Sequence, residues 1–320
     1  MFDLLEDHYK TVIRAITEGR VVPFLGAGVN LCCRPQGKAY RPGQREFLPS
    51  GTELAGYLAD EFGCEGGNKN DLLRVSQHVA VMQGSGPLYD ELHQVFDADY
   101  PPTLLHEFLA ELPAILERKG YPKRYQLVVT TNYDDLLERA FRAADEPFDL
   151  VTYVVEGDHR GKFLHWLPDG QERLIDKPNE YLGLSLNRQT VVLKIHGTVD
   201  RRESAEQDSF VITEDHYIDY LTRTDISNLV PVTLAAKLRK SHFLFLGYSL
   251  RDWNLRVILH RIWGEQKLTY KSWAILLNPE TIDEKFWVKR DVDMINVPLE
   301  KYIKGLKERI DALPDTGDIS

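Results

Sequence analysis

Cysteine is scarce in this sequence: Cys32, Cys33 and Cys64 are the only three in 320 residues. Their number is odd and no CxxC pair occurs, so the sequence predicts neither a disulfide framework nor a cysteine zinc site. So little cysteine fits a reducing compartment, and we expect the protein to reside in the cytoplasm.

Long hydrophobic runs and excess positive charge are also missing. No stretch reaches the roughly 18 uncharged apolar residues of a membrane-spanning helix, and the N-terminal MFDLLEDHYK is acidic and polar, unlike a signal peptide. Lys and Arg number 39 against 49 Asp and Glu, which gives a net charge of -10. This balance works against nonspecific binding to phosphate backbones, so we expect neither a membrane segment nor a direct nucleic acid partner.

The apolar residues, 43% of the chain, are concentrated in short β-branched runs. Segments with helical spacing lie between several of these runs. Near-continuous apolar strands separated by helices are typical of a parallel sheet that is buried on both faces. We therefore predict an α/β protein. The predicted strands are RVVPFLGAG, YQLVVTTN, FDLVTYVV, QTVVLKIHG, SFVIT, HFLFLGYSL and SWAILLN, and the predicted helices cover 2–19, 52–62, 71–96, 103–118, 135–144, 232–239 and 251–263.

The organisation along the chain indicates one domain with an insertion. The stretch from about 31 to 123 contains no convincing strand, so we predict a helical module inserted between the first two strands. The polar stretch 156–190 contains several glycines and prolines, which predicts a hairpin or a long loop near a ligand site. We expect the domain to cover 1–305 and a C-terminal tail to cover 306–320.

Two glycines follow the first predicted strand, in VVPFLGAGVN. The glycines of Gly26-Ala27-Gly28 would let backbone N–H groups face a pyrophosphate, which favours a dinucleotide ligand. The dehydrogenase fingerprint requires a third glycine, but Leu31 occupies its position, and no strand ending in an acidic residue follows at the usual distance. The motif therefore argues against hydride transfer, and a tight turn without a ligand stays open as the alternative.

Polar residues end the second predicted strand, in VVTTNYDDLLERAF. Thr131, Asn132 and Asp134 come directly after the apolar run, at the end of a strand where open α/β sheets bind ligands. Taken alone, the motif favours a simpler role in which Asn132 or Asp134 caps the helix that follows.

A histidine followed by a glycine ends another buried strand, in VVLKIHGTVD. The imidazole of His196 could take a proton from a ribose hydroxyl or a water near neutral pH, and Gly197 would allow a ligand to approach the backbone. A packed structural histidine is the alternative, but His196 is alone among the ten histidines in ending a strand as His-Gly.

A fourth strand end, in FLFLGYSLRDWN, resembles the nucleophile elbow of serine hydrolases. Arg251 occupies the position of the last glycine in that motif, which argues against a serine hydrolase. Gly247 and Ser249 would equally suit a nucleotide ribose or phosphate, while a helix cap at Ser249 or Asp252 is the structural alternative.

The four strand ends, GAGVN, TTNYD, KIHG and FLGYSL in this order, resemble the SIR2-like family, the relatives of sirtuins in bacterial antiphage defence. The resemblance covers most of 15–300 and includes LPSGTEL, SFVITEDHY and FWVKRDVDMINVP. It implies a Rossmann-like, doubly wound, mostly parallel sheet with an inserted helical module, and a site that binds NAD.

The resemblance also implies a role for each matching residue. Asn132 and Asp134 would face the nicotinamide and its ribose, and His196 would be the catalytic base. The remaining residues would contact the rest of the nucleotide, with Asn30 in the position where sirtuin relatives usually carry serine. These expected binding residues are Gly26, Ala27, Gly28, Asn30, Thr131, Gly247 and Ser249.

Departures from the sirtuin pattern favour one activity within the family. Sirtuin deacylases carry a four-cysteine zinc module and a GIPDFR-like segment, whereas this chain has too few cysteines and reads LCCRPQ after the glycine loop. The resemblance without the zinc module implies a NAD+ glycohydrolase that needs no metal and releases nicotinamide and ADP-ribose. A sensor that binds NAD or ADP-ribose without catalysis is the competing hypothesis, and NAD-dependent protein deacylation is a lesser one.

The family also implies how such an enzyme is controlled. Unrestrained NAD cleavage would harm the cell, so we expect an effector of abortive infection held in check by homo-oligomerisation or by a separate protein. By analogy with two-gene systems, a HerA-type ATPase is a candidate partner.

Overall fold

The computed structural model describes residues 2–202, 208–222, 230–248, 250, 256–257, 259 and 270–315. Within these residues the strands form one nine-stranded sheet and one two-stranded ribbon. The strands are β1 (Val21–Leu25), β2 (Leu127–Thr130), β3 (Phe148–Tyr153), β4 (Phe163–Trp166), β5 (Glu172–Ile175), β6 (Thr190–Lys194), β7 (Gly197–Thr198), β8 (Ser209–Phe210), β9 (His242–Leu246), β10 (Ser272–Leu276) and β11 (Val292–Asn296).

Helices cover the sheet and fill the connection between its first two strands. A 3₁₀ helix (Ala27–Leu31) follows β1 directly. The α-helices are α1 (Phe2–Thr17), α2 (Gly51–Glu61), α3 (Leu72–Gln83), α4 (Ser85–Phe96), α5 (Leu104–Arg118), α6 (Leu136–Ala143), α7 (Glu214–Thr222), α8 (Val232–Arg239), α9 (Thr281–Val288) and α10 (Leu299–Asp311).

The large sheet has the strand order β11-β10-β9-β1-β2-β6-β3-β4-β5. Pairs from β11 to β3 are parallel, and β4 and β5 add an antiparallel hairpin at one edge. In β1, Val21 and Leu25 belong to the core on one face of the sheet, whereas Val22 and Phe24 belong to the core on the other. Both faces are therefore covered, and the predicted Rossmann-like, doubly wound α/β class is confirmed.

A third core lies in the connection between β1 and β2. Leu54 of α2, Val79 of α3 and Leu92 of α4 are buried together there, and the core extends to Phe210 of β8. By contrast, α5 packs on the sheet with α6 and α10. We therefore propose that the inserted module consists of α2, α3 and α4, inside the predicted 31–123, and that α5 belongs to the sheet layers.

Two sequence predictions of helix extent are wrong. The segment 71–96 is two helices rather than one, because Gly84 separates them with a φ of 92°, in the left-handed region that ends a helix. The tail was also predicted to begin too early, at 306. Since Leu306 and Ile310 lie one helical turn apart and are buried, α10 continues to Asp311.

The polar stretch 156–190 contains the predicted hairpin, formed by β4 and β5. The predicted helix over 251–263 falls almost entirely outside the described residues, apart from 256–257 and 259. Among the helices that the structure describes, none combines the length and hydropathy needed to cross a membrane.

Candidate active site

A cleft of about 520 Å³ opens at the carboxyl ends of β1, β2, β6 and β9. β1 pairs with β2 on one side and with β9 on the other. The strand order therefore runs in both directions from β1, and open α/β sheets bind ligands at the carboxyl end of such a strand. The volume is in the range of small-molecule and cofactor sites. The lining residues are Gly26, Ala27, Gly28, Asn30, Leu31, Pro49, Ser50, Gly51, Thr52, Leu54, Leu72, Phe96, Thr131, Asn132, Tyr133, Asp134, His196, Tyr217, Gly247 and Tyr248.

The glycine loop crosses the end of β9 at close range. The N–H of Gly26 donates to the carbonyl of Leu246, at 3.0 Å, and the N–H of Gly28 donates to the carbonyl of Gly247, at 2.9 Å. A Cβ on Gly28 would lie 2.6 Å from that Gly247 oxygen. The N–H groups of Gly26 and Gly28, which were expected to face a pyrophosphate, therefore donate to backbone carbonyls instead. Both positions require glycine because the chain segments after β1 and β9 approach each other so closely.

Gly247, directly after β9, is the third glycine that this close approach requires. Its φ is 67°, and a Cβ there would lie 2.3 Å from the backbone nitrogen of Val29. The side chain of Tyr248 lies against Gly26, where a Cβ would meet the ring at 2.4 Å. Ser249, the other residue predicted on this turn, lies outside the described residues.

The loop after β2 is held against the loop after β1. The N–H of Thr131 donates to the carbonyl of Leu25, at 3.2 Å, and the Asn132 amide nitrogen reaches the Gly26 carbonyl at 3.4 Å. The N–H of Asn132 donates to the Thr130 hydroxyl, at 3.0 Å. Asn132 is 8% exposed, so its amide is nearly immobilised at the wall of the cleft.

Asp134 joins the glycine loop to α6. One carboxylate oxygen accepts from the Asn30 amide nitrogen, at 2.7 Å, and the other accepts from the N–H of Leu136, at 3.2 Å. The N-cap position of α6 is Asp135, but Asp134 accepts from the first N–H of that helix while it also lines the cleft. Because the Asn30 nitrogen faces a carboxylate, its Oδ1 is left as an acceptor, and this buried atom has no partner in the described part of the chain.

His196 lies at the floor of the cleft, just beyond β6, and is 4% exposed. Burial lowers the pKa of its imidazole to about 3, so the ring is neutral at physiological pH. Nδ1 lies 3.5 Å from the Tyr217 hydroxyl, while Nε2 is buried and has no hydrogen-bond partner among the described residues. The following Gly197 has a φ of 87°, and a Cβ there would lie 2.0 Å from the carbonyl oxygen of Ser209.

The structure brings together most residues that the sequence predicted for the site. Nine of them line the one cleft: Gly26, Ala27, Gly28, Asn30, Thr131, Asn132, Asp134, His196 and Gly247. Sequence reasoning missed three tyrosines that line the cleft, Tyr133, Tyr217 and Tyr248. All three stood in quoted motifs, TTNYD, SFVITEDHY and FLGYSL, but a tyrosine in these motifs carries no signal of its own.

Metal-ligating side chains do not gather at the cleft. Over the described ranges, no group of three or more His, Cys, Asp or Glu side chains is placed to hold a metal ion. Cys32 and Cys33 follow the 3₁₀ helix with their sulfurs 3.8 Å apart, and neither they nor Cys64 line the cleft.

The doubly wound sheet and the cleft at its centre define a protein of the Rossmann-like α/β class. A family model described as a SIR2-like domain matches residues 126–295. The chain therefore belongs to the SIR2-like family, as its strand-end motifs predicted.

Curated relatives match most of this chain. Defense-associated sirtuin 2 of Bacillus subtilis is 26% identical over 293 residues, which cover 89% of this chain and 24% of that protein. NAD(+) hydrolase ThsA of Enterococcus faecium is 28% identical over 256 residues, 79% of this chain and 42% of that protein. The ThsA of Bacillus cereus is 25% identical over 266 residues, 82% and 44%. The chain thus spans less than half the length of each of these relatives.

Proposed function

We propose that this chain is a NAD+ glycohydrolase that cleaves NAD+ with water to nicotinamide, ADP-ribose and a proton. One observation carries the proposal: His196, a neutral imidazole whose buried Nε2 has no hydrogen-bond partner among the described residues, lines the same cleft of about 520 Å³ as the glycine loop and Asn132. Two of the relatives that share the family are named NAD(+) hydrolase.

The bond that breaks joins the nicotinamide nitrogen to the ribose. Its electron pair leaves with nicotinamide, the ribose carbon gains oxocarbenium character, and a water oxygen then bonds to that carbon. Asn132 orients the carboxamide or the attacking water, and Asp134 fixes the nicotinamide side. His196 accepts a proton from a ribose hydroxyl or from the water. Gly26, Ala27, Gly28, Asn30, Thr131, Gly247 and Ser249 bind the rest of the nucleotide in this proposal.

The relatives' names support a place in defence. One is called a defense-associated sirtuin, so we place this chain as the NAD-depleting effector of an antiphage system that acts by abortive infection in the cytoplasm. Control by homo-oligomerisation, or by a separate protein such as a HerA-type ATPase, belongs to the same proposal.

A second candidate function is a sensor that binds NAD or ADP-ribose without cleaving it. The deep burial of His196 favours it, because an imidazole with a pKa of about 3 is a weak base. In the glycohydrolase, bound substrate must therefore raise the basicity of Nε2. In the sensor, Nε2 only accepts a hydrogen bond from the ligand.

The deciding experiment is incubation of the purified chain with NAD+, alone and with the protein encoded by the neighbouring gene. Nicotinamide and ADP-ribose are followed by chromatography. The His196→Ala variant is compared with His8→Gln, which changes another buried histidine, one that bonds Tyr302 and does not line the cleft. The glycohydrolase predicts equimolar products that disappear in His196→Ala and persist in His8→Gln. Binding of NAD+ without release under both conditions would support the sensor instead.

A further inference from the structure

Lys194 is a charged residue at the centre of the molecule. It is the last residue of β6, two positions before His196, and its side chain is fully buried. Burying an ammonium is unfavourable unless every N–H finds an acceptor. Sequence analysis did not single out Lys194, which stands within an apolar run, VVLKIHG.

Three acceptors surround the Lys194 ammonium. Its Nζ donates to the backbone carbonyl of Tyr133, at 3.2 Å, to the carbonyl of Asp134, and to Oε1 of Glu138, at 2.8 Å. These account for all three N–H groups. Glu138, on α6, is 2% exposed, so the ion pair is closed off from solvent at both ends.

The three contacts of Lys194 join β6 to two other parts of the structure, α6 and the loop after β2. The contact with Glu138 ties β6 to α6, which also packs on the sheet through Leu137 and Phe141. The contacts with the two carbonyls tie β6 to the loop that carries Asn132 and Asp134. The Tyr133 carbonyl also accepts a hydrogen bond from the N–H of Val199, at 2.9 Å. The Asp134 carbonyl accepts from Lys194.

We propose that Lys194 is a positioning residue for the proposed NAD+ cleavage, because it fixes the loop bearing Asn132 and Asp134 at a set distance from His196. This inference rests on the proposed function. Lys194 stands two residues before His196 in the chain, and its ammonium bonds the backbone carbonyls of Tyr133 and Asp134, directly after Asn132. One buried side chain therefore joins the two strand ends that carry the candidate catalytic residues. A shift of about 1 Å in such a constellation can lower a rate about 100-fold.

Glu138→Gln and Lys194→Gln separate positioning from stability. Both leave one buried charge without its counter-charge, so both lower the melting temperature, but only Lys194→Gln removes the ammonium that bonds the two carbonyls. We expect Glu138→Gln to keep nicotinamide release within about threefold and Lys194→Gln to lose it about 100-fold in kcat, at a temperature where both variants are folded. Losses of release that follow the two melting temperatures would overturn the proposal.

The double variant Lys194→Met/Glu138→Leu sharpens the test. Replacing both charges by apolar side chains often restores stability, yet it leaves the two carbonyls without the ammonium. We expect a melting temperature near that of the wild type with kcat still about 100-fold low; recovery of both would overturn the proposal. Lys123→Met/Glu146→Leu is the matched control, since it removes a lysine–carboxylate pair of 3.1 Å that does not line the cleft.

Calorimetric titration with NAD+ distinguishes a failure of the positioning proposal from a failure of the proposed function. If the wild type binds NAD+ without cleaving it, the glycohydrolase fails, and positioning still predicts that Lys194→Gln binds NAD+ at least about tenfold more weakly than Glu138→Gln. Equal affinities would overturn positioning. A wild type that neither binds nor cleaves NAD+ overturns both proposals.

Discussion

Asp134 joins three parts of the candidate site: the glycine loop, α6 and Lys194. Its carboxylate holds Asn30 of the glycine loop and the first N–H of α6, while its carbonyl accepts from Lys194. Each carboxylate oxygen accepts one hydrogen bond from the chain, and a carboxylate oxygen has room for a second. A ligand can therefore bond Asp134 without breaking the contacts that hold it.

Replacing Asp134 by asparagine tests this arrangement. The amide would place an NH₂ group against either Asn30 Nδ2 or the N–H of Leu136, so one present hydrogen bond is lost. We expect nicotinamide release to fall at least about 100-fold and the free energy of unfolding to fall by about 1–2 kcal/mol. Asp149→Asn is the control, since Asp149 is buried, bonds His165 at 2.8 Å and does not line the cleft, so this substitution is expected to change stability alone.

The sequence predicted the residues at strand ends better than the contacts between them. Asn132, Asp134 and His196 stand directly after apolar runs, and parallel strands bring their carboxyl ends together, so their meeting could be expected. The Asn30–Asp134 bond joins positions 104 residues apart, and no local pattern encodes it. Lys194 was missed for the opposite reason: its local pattern indicates a plain buried strand, and its three acceptors come from another part of the chain.

At the scale of elements, the close approach of the glycine loop to the end of β9 forms one wall of the cleft. Gly28→Ala would place a Cβ 2.6 Å from the Gly247 carbonyl, and neither backbone can withdraw without breaking the hydrogen bond of 2.9 Å between them. We expect the free energy of unfolding to fall by about 1–3 kcal/mol and the affinity for NAD+ to fall at least about tenfold. Urea unfolding and calorimetric titration measure the two effects.

Gly56→Ala is the matched control for this prediction. Gly56 lies within α2, and a Cβ there would have no atom within 4 Å. Alanine is the better helix former, so stability should stay the same or rise by up to about 1 kcal/mol. Equal effects of the two substitutions would contradict the role of the crossing.

The C-terminal helix is part of the core rather than a tail. Leu306 of α10 is 1% exposed and packs with α1 and α5 beneath the sheet. We expect Leu306→Ala to lower the free energy of unfolding by about 2–5 kcal/mol. Lys301→Ala, on the exposed face of the same helix, should change it by less than about 0.5 kcal/mol. A small effect of Leu306→Ala in urea unfolding would argue that α10 is dispensable.

Secondary structure could be predicted wherever the apolar period was clear. The prediction was wrong where a single residue interrupts a helix. α5 and α8 keep helical spacing throughout, and both were predicted to within one residue. Over 71–96 the apolar spacing continues through Gly84, but that glycine takes a left-handed conformation and divides the segment. β11, VDMIN, was not predicted because two of its five residues are polar and it is only partly buried, and its pairing with β10 decides its conformation.

At the scale of the whole molecule, buried histidines make stability depend on pH. His8 on α1, His106 on α5 and His196 after β6 lie in separate places, and burial lowers their pKa values to about 4, about 4 and about 3. In the unfolded chain a histidine has a pKa near 6.5. Between these values the unfolded chain binds protons that the folded chain does not, so acid favours unfolding.

We therefore expect the free energy of unfolding to fall as the pH is lowered from about 6.5 towards 4, with up to about 1.4 kcal/mol per pH unit from each of the three histidines. Glu53 acts in the same direction at lower pH, since Arg34 lowers its pKa to about 2. Urea unfolding at a series of pH values measures the slope. His8→Gln should make the slope shallower by about 1.4 kcal/mol per pH unit, whereas His78→Gln, at an exposed position of α3, separates the loss of a buried histidine from the loss of any histidine. An unchanged slope in His8→Gln would show that His8 takes up its proton equally in the folded and unfolded chain, and the acid sensitivity would then come from other groups, such as His106, His196 and the carboxylates.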